Sequence, residues 1–305
     1  MIDPFIYISK LSKWVGEILT HLLPDSVFKE VLEHWIYDFT KITLILFITF
    51  SLFHYVKKIK YFSFITELLK RKDIVGIATG IFIGIFTPVC SCSVTPIYAS
   101  LINKGASKQS SSAFLFTAPA INEFALALCF TTLGFYGAFV YLCLGITCGI
   151  FTGFIGGKWT IYDNLDCCEI KKELSFFEEL KLFFKKLIIP LAIGAFVASL
   201  LEKLYKAPMF LISEYKNSIL LPFIATIIGL PLDVSAMNAG PIIVPLYETG
   251  IGFGTIISLL MAMTVASIPE YIILSKMIGH KSTIKLFFYY ACYCVIIGYT
   301  LNLIF

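Results

Sequence analysis

The chain has 305 residues, of which 58% are hydrophobic and only 14% charged. Soluble domains carry nearer a quarter charged residues, so a water-soluble enzyme is excluded and an all-α polytopic membrane protein is expected. Long apolar stretches satisfy their backbone in lipid only as helices or closed barrels, and these stretches lack the alternation of barrel strands. A net charge of +4 is too small to suggest a nucleic-acid partner, and nine cysteines, an odd number with no signal-peptide context, point to free thiols.

At the N-terminus, Phe5, Ile6, Ile8, Leu11, Trp14, Val15 and Ile18 recur at helical spacing with Lys10, Lys13 and Glu17 between them. Residues 1–38 are therefore expected to form an amphipathic, interfacial segment, with a short extra span as the alternative; no removable signal is indicated. Uncharged runs follow at 42–56, 74–103, 109–122, 124–157, 187–201, 217–232, 234–247, 249–269 and 286–305. Each can be cut into helices of about 20 residues, the length that crosses a bilayer. The 74–103 run is too long for one straight span, about 45 Å as a helix, and Pro88 and Pro96 interrupt it. The 124–157 run is expected to hold two spans, because Gly134 and Gly137 make a tight turn near its first third.

A shift of 145 residues lays one half of the chain on the other, with Pro96 on Pro241 and Gly105 on Gly250. A further slip of two residues brings Glu123 onto Glu270, each close to a proline, Pro119 or Pro269. The expected organisation is the N-terminal segment 1–38, a first transmembrane repeat 39–157, a cytoplasmic loop 158–185 and a second repeat 186–305. Paired halves with Pro/Gly-broken apolar segments point to a secondary transporter whose site lies at the breaks.

Segment 57–72 carries six basic residues against the single acid Glu67, and 276–285 carries Lys276, Lys281 and Lys285 with no acid, so both are expected on the cytoplasmic side. If the broken segments 73–103 and 217–247 re-enter instead of crossing, the lysine-rich loop 158–186 joins them there and the halves become inverted copies. That arrangement is preferred here.

The first break reads Thr87-Pro88-Val89-Cys90-Ser91-Cys92-Ser93-Val94-Thr95-Pro96. Each proline disfavours helix in the residue before it, and in irregular backbone side chains two apart point the same way. Cys90 and Cys92 can then meet one ligand, with Ser91, Ser93 and Pro96 around it. Paired thiolates suit a soft centre such as Cu(I), Hg(II) or trivalent arsenic or antimony, and free backbone N–H groups at a break can receive an anion. The competing explanation is that Cys and Ser merely allow close helix packing. Cys129, Cys143 and Cys148 read as small fillers; Cys292 and Cys294 lie in an unbroken run, where they diverge; Cys167 and Cys168 are adjacent and diverge as well. The four histidines are scattered, and no zinc or other metal site is expected.

Acids within apolar surroundings are functional candidates. Asp233 lies at the second break, followed by Ser235 and Asn238; Glu123 follows Asn122; Glu270 follows Pro269. Any of the three acids can carry a proton or bind a cation, although Glu270 stands close enough to a span end to reach water instead.

The stretches Thr-Pro-Val-Cys-Ser-Cys-Ser-Val-Thr-Pro (87–96), Lys-Gly-Ala-Ser (104–107) and Ala-Phe-Leu-Phe-Thr-Ala-Pro-Ala-Ile-Asn (113–122) resemble the signature of the predicted permeases that include the organoarsenical efflux permeases. The resemblance implies an inner-membrane exporter in which Cys90 and Cys92 handle a trivalent metalloid near mid-membrane. The chain departs from the family pattern in carrying Glu123 after Asn122, where members often have proline, and in offering Asp233, Ser235 and Asn238 where some relatives have a second cysteine.

The expected function is a multi-pass permease of the cell membrane for a soft, thiol-reactive solute, not an enzyme and with no cofactor; no Walker A pattern occurs. Its partners are the lipid bilayer and a small-molecule or metalloid substrate, with homo-oligomerisation left open. A permease for a sulfur or selenium anion and an intramembrane dithiol redox protein are the alternatives.

Overall fold

In a computed structural model of the chain, the described residues are 67–87, 94–95, 97–98, 101–102, 105–159, 218–232 and 239–305, together with helical positions at 10–15, 29, 31–33, 35–37, 39–40, 43–44, 47, 51, 181, 188–189, 192–193 and 196. All secondary structure among them is helical, and the principal helices are α1 (Ile74–Ile85), α2 (Lys108–Ala120), α3 (Glu123–Trp159), α4 (Leu221–Gly229), α5 (Gly240–Glu248), α6 (Phe253–Val265), α7 (Ile268–Ile278) and α8 (His280–Ile304). Most of the N-terminal segment lies outside the described residues; its helical turn at 10–15 leaves Leu11 and Trp14 exposed.

Asp73 starts α1. Its Oδ1 accepts from the Gly76 N–H at 3.1 Å, while its Oδ2 accepts from Arg71 Nη2 at 2.7 Å. The Arg71 guanidinium first, and the Gly76 N–H second, hold this carboxyl below its ordinary value. A lowered folded value means that the cap contributes at neutral pH and is lost as the pH falls through the carboxylate range.

Along α1, Gly76, Gly80 and Gly84 recur every fourth residue, and the last two face α2. A Cβ on Gly80 would overlap the Ser110 carbonyl, and one on Gly84 would lie 3.0 Å from Thr117 Cβ. Gly145, Gly149, Gly153 and Gly156 of α3 meet Ile121, Thr117, Ala113 and Ser112 in turn, and Gly149 and Gly153 also meet Ile81 and Ile77 of α1. Small residues let backbones approach where lipid offers no hydrophobic driving force between helices. Packed against both α1 and α3, α2 is buried at every position from Ser110 to Ala120.

The order of these contacts fixes direction. α1 runs parallel to α2, whereas residues 135–159 of α3 run antiparallel to it. The reversal lies at Gly134, whose φ of +75° only glycine adopts freely, and Leu133 folds back so closely that any Cβ on Gly137 would overlap it. Both glycines of the expected turn are thereby explained.

Parallel α1 and α2 require the chain between them to return to its starting end. It does so: the Leu69 carbonyl accepts from the Ser107 N–H at 2.7 Å and from Ser110 Oγ at 2.6 Å. Segment 73–103 is thus a hairpin entering and leaving at one end, with helical residues at 94–95, 97–98 and 101–102 on its return limb.

The second half repeats this plan. Gly229 of α4 meets Ala262 and Leu259 of α6, and Gly298 of α8 meets Pro222 and Ser258, so α4 is parallel and α8 antiparallel to α6. Asn302 replaces the missing cap of α6: its Oδ1 accepts from the Gly254 N–H at 2.7 Å and its Nδ2 donates to Thr255 Oγ1 at 2.9 Å. The four positive-φ glycines form two pairs 145 residues apart, Gly105 with Gly250 and Gly134 with Gly279. α2 and α6, and the starts of α3 and α7, keep the same interval. No two-residue slip is needed: Glu123 opens its helix, Glu270 is the third residue of its own, and the counterpart of Glu270 is Ala125.

Residues 135–159 of α3 and their counterpart α8 pack on each other. Tyr136 meets Phe305 with ring centroids 5.4 Å apart, Thr147 Oγ1 lies 2.6 Å from the Tyr293 hydroxyl, and a Cβ on Gly156 would lie 3.9 Å from Leu286. One sequence rises as the other falls. Equivalent helices that run antiparallel make the halves inverted copies.

Gly80→Ala should lower stability by about 1–3 kcal/mol, because the new methyl meets the Ser110 backbone and not a side chain that can move. Gly240→Ala, with its nearest contact at 3.7 Å, should change little. Thermal unfolding of the detergent-extracted variants, followed by loss of the monodisperse species, measures both.

Candidate functional site

Each half contains two breaks. In the first, α1 ends at Ile85 and helix resumes by Val94, while α2 ends at Ala120 and α3 begins at Glu123. In the second, α4 ends at Gly229 and α5 begins at Gly240, while α6 ends at Val265 and α7 begins at Ile268. α1 is about 18 Å long and α4 about 14 Å, against an apolar core of about 30 Å. Entering from opposite ends, α1 and α4 therefore end at nearly the same depth. Gly84 lies beside Thr117 and Gly229 beside Ala262, so the end of each entering helix lies within about a turn of the joint of its neighbouring broken helix.

Cys90, Ser91, Cys92, Ser93 and Pro96, as well as Asp233 and Asn238, lie outside the described residues. Cys167 and Cys168 do so too. Asn122 sits in the joint between α2 and α3, where its Oδ1 accepts from the Phe124 N–H at 2.8 Å and caps the helix that follows. Glu123 is the first residue of that helix, and its side chain is not among those described. Pro119, one turn earlier, cannot donate to Leu115, which weakens α2 just before the joint.

Glu270 is completely buried, which removes its route to water from a span end. Its N–H donates to Ser267 Oγ at 3.4 Å, in the joint that corresponds to Asn122. α6 and α7 are bent by 49° across this joint.

Among the remaining thiols, Cys129, Cys148 and Cys294 are buried and Cys292 is partly so, whereas Cys143 is exposed. The filler role expected for Cys143 is therefore wrong in one respect, since its helix face is turned outward. Cys292 and Cys294 sit on the continuous helix α8 with different burial, as two side chains about 200° apart must.

The halves are joined by tyrosines that sequence inspection passed over. The Tyr290 hydroxyl donates to the Met261 carbonyl at 2.7 Å while its ring stacks on Phe116 at 5.4 Å, tying α8 and α6 to α2. Tyr293 donates to the Leu144 carbonyl at 2.5 Å. Gly279 was likewise missed, although the 145-residue interval from Gly134 points to it.

Charge divides the two ends. Lys70, Arg71, Lys72, Lys108, Lys276, Lys281 and Lys285 gather where α1, α2 and α8 begin, with Glu67 and Asp73 among them. Among the described residues of α1 to α8 and their turns, Glu248 is the one charged side chain at the other end.

Inverted all-helical halves, each with an apolar hairpin that re-enters from its own end, define a membrane permease. The chain belongs to the predicted permease family, which matches it twice, over residues 27–163 and 168–303. It is similar to a UPF0718 protein of Methanocaldococcus jannaschii, 24% identical over 302 residues, which cover 72% of this chain and 80% of that one. It is also 31% identical over 110 residues to a protein of Streptococcus mutans named as a subunit of a two-component membrane permease complex, covering 34% of this chain and 36% of the relative. No solved structure matches.

The end bearing the lysines should face the cytoplasm. Single cysteines introduced at Lys72 and Lys281, in a chain whose native cysteines are replaced, should react with an impermeant maleimide only after the membrane is opened. One introduced at Glu248 should react in intact cells. The reverse pattern would overturn the orientation.

Proposed function

We propose that this permease is a secondary transporter of the cell's inner membrane that exports a soft, thiol-reactive solute such as a trivalent arsenic compound. The observation that supports the proposal is the pair of opposed helices α1 and α4 that end at one depth, the first of which is followed in sequence by Pro88-Val89-Cys90-Ser91-Cys92. Two thiolates at one point hold a soft, trivalent centre by bonds that hydroxyls form poorly. Ser91, Ser93, Pro96 and Asn122, and Asn238 from the other hairpin, complete the binding surface in this reading.

Inverted halves suit alternating access, because exchanging their two conformations turns an inward-open arrangement into an outward-open one. Asp233, Glu123 and Glu270 are the candidates for the coupled proton or cation, since an acid away from water is costly unless it serves one. The name of the Streptococcus mutans relative supports assembly with a further permease subunit.

Serine nearly matches cysteine in size, so Cys90→Ser and Cys92→Ser should each accumulate normally in the membrane yet lose most export of arsenite from loaded cells. Cys292→Ser and Cys294→Ser should retain it. Full export by the Cys90→Ser, Cys92→Ser double variant would sink the thiol mechanism.

Asp233→Asn should remain folded in the membrane while export ceases to respond to an imposed proton or sodium gradient. Unchanged gradient dependence would remove Asp233 from the coupling set.

A further inference from the structure

We propose that the seam between α2 and α3 opens to form the route by which a hydrogen-bonding solute passes between the lysine-bearing end and the joint at Asn122, and that the hydroxyls of Ser112 and Thr117 line this route. The inference rests on the alternating-access part of the reading above and not on the solute named there.

A serine or threonine inside a helix ordinarily satisfies its hydroxyl on the carbonyl one turn back. Thr152, Thr226 and Thr264 do so at 2.8 Å, and Thr283 at 3.0 Å. Ser112 and Thr117 do not. Both are completely buried, and neither side-chain oxygen has a hydrogen-bond partner. Each points instead into a notch on α3: a Cβ on Gly149 would overlap Thr117 Oγ1, and one on Gly156 would overlap Ser112 Oγ. The two hydroxyls thus occupy the space in which side chains at 149 and 156 would stand. A buried hydroxyl without a partner destabilises the conformation that holds it.

The fold does not require these hydroxyls. In α6, the counterpart of α2, Ile257 and Ala262 stand at the positions of Ser112 and Thr117, and both are completely buried. On α8, Cys294 and Leu301 take the places of Gly149 and Gly156. The second half therefore builds the same pair of helices from apolar groups and fuller side chains. Unpaired hydroxyls set in glycine notches belong to the first half's seam.

Their positions mark out a path. Ser112 lies one turn from Lys108 at the start of α2, and Thr117 lies about one turn before Asn122. They are about 8 Å apart along the helix. Between them the seam is closed by the smallest groups, with Ala113 Cβ 3.2 Å from where a Cβ on Gly153 would stand. A small outward movement of α3 admits water or solute here, and both hydroxyls then find the partners they lack. That differential interaction favours the open conformation whenever a hydrogen-bonding species is present. Because a hydroxyl both donates and accepts, the row serves a neutral hydroxylated solute without needing a charge on it.

The route and the hydroxyls are tested separately. In a chain whose native cysteines are replaced, Ser112→Cys and Thr117→Cys should react with impermeant trimethylammonium-ethyl methanethiosulfonate applied on the side from which Lys72→Cys reacts, and not from the other. Thr226→Cys, at an equally buried threonine outside the seam, should react from neither. No reaction at 112 and 117, or reaction at 226 as fast as theirs, would overturn the route. For the hydroxyls, Thr117→Val in the otherwise native chain keeps the side chain's shape. It should melt no lower than the parent, since an unpaired hydroxyl is removed, yet export arsenite about tenfold more slowly, the loss of one hydrogen bond to the passing solute. Thr117→Ser should keep most of the export, and Thr226→Val all of it. A lowered melting temperature for Thr117→Val, or export equal to the parent's, would overturn the role of the hydroxyl. A parent that exports no arsenite would sink the solute named above and leave the seam to be decided by the labelling, which needs no transport.

Discussion

The fold depends on how closely backbones approach α2. In lipid, apolar side chains gain little by leaving one apolar surrounding for another, so helices associate through short contacts between backbones. Gly80 and Gly84 of α1, and Gly145, Gly149, Gly153 and Gly156 of α3, remove the side chains that would hold these two helices away from α2. The second half achieves the same with Gly229, Gly254 and Gly298 around α6. With α2 fixed, Ser107 and Ser110 at its start can reach the Leu69 carbonyl, and those two bonds oblige the intervening chain to return to the end at which it entered.

That return explains why prolines and hydroxyls are tolerated so deep in an apolar bundle. Irregular backbone within a membrane survives only where protein or a polar cavity surrounds it. Here the end of each entering helix, at Gly84 and Gly229, lies close to the joint of a broken helix, Asn122 in one half and Ser267 in the other, and both joints satisfy an N–H of the following helix with a side-chain oxygen.

Inversion gives this depth its significance. Two copies of one plan, packed head to tail through the Tyr136–Phe305, Thr147–Tyr293 and Gly156–Leu286 contacts, see the two ends of the bundle alike. Their sequences break that equivalence. Lysines and Arg71 occupy one end, Glu248 the other, and Glu270 stands at the position where the first half has Ala125.

Much of this was written in the sequence. The uncharged runs determined a helical membrane protein, and Gly134 marked a turn because the φ it adopts, +75°, strains other residues. The interval of 145 residues disclosed the repeat, and Pro-Val-Cys-Ser-Cys with Thr-Ala-Pro-Ala-Ile-Asn disclosed the family. Tertiary structure alone decided that segment 73–103 re-enters, because an apolar run broken by prolines has the same composition whether it crosses or returns; the bonds from Ser107 and Ser110 to Leu69 distinguish the two. Structure alone also buried Glu270. The sequence shows an acid beside Pro269 in the last stretch before a basic turn, but whether water reaches it depends on what packs against α7, and those neighbours come from distant parts of the chain.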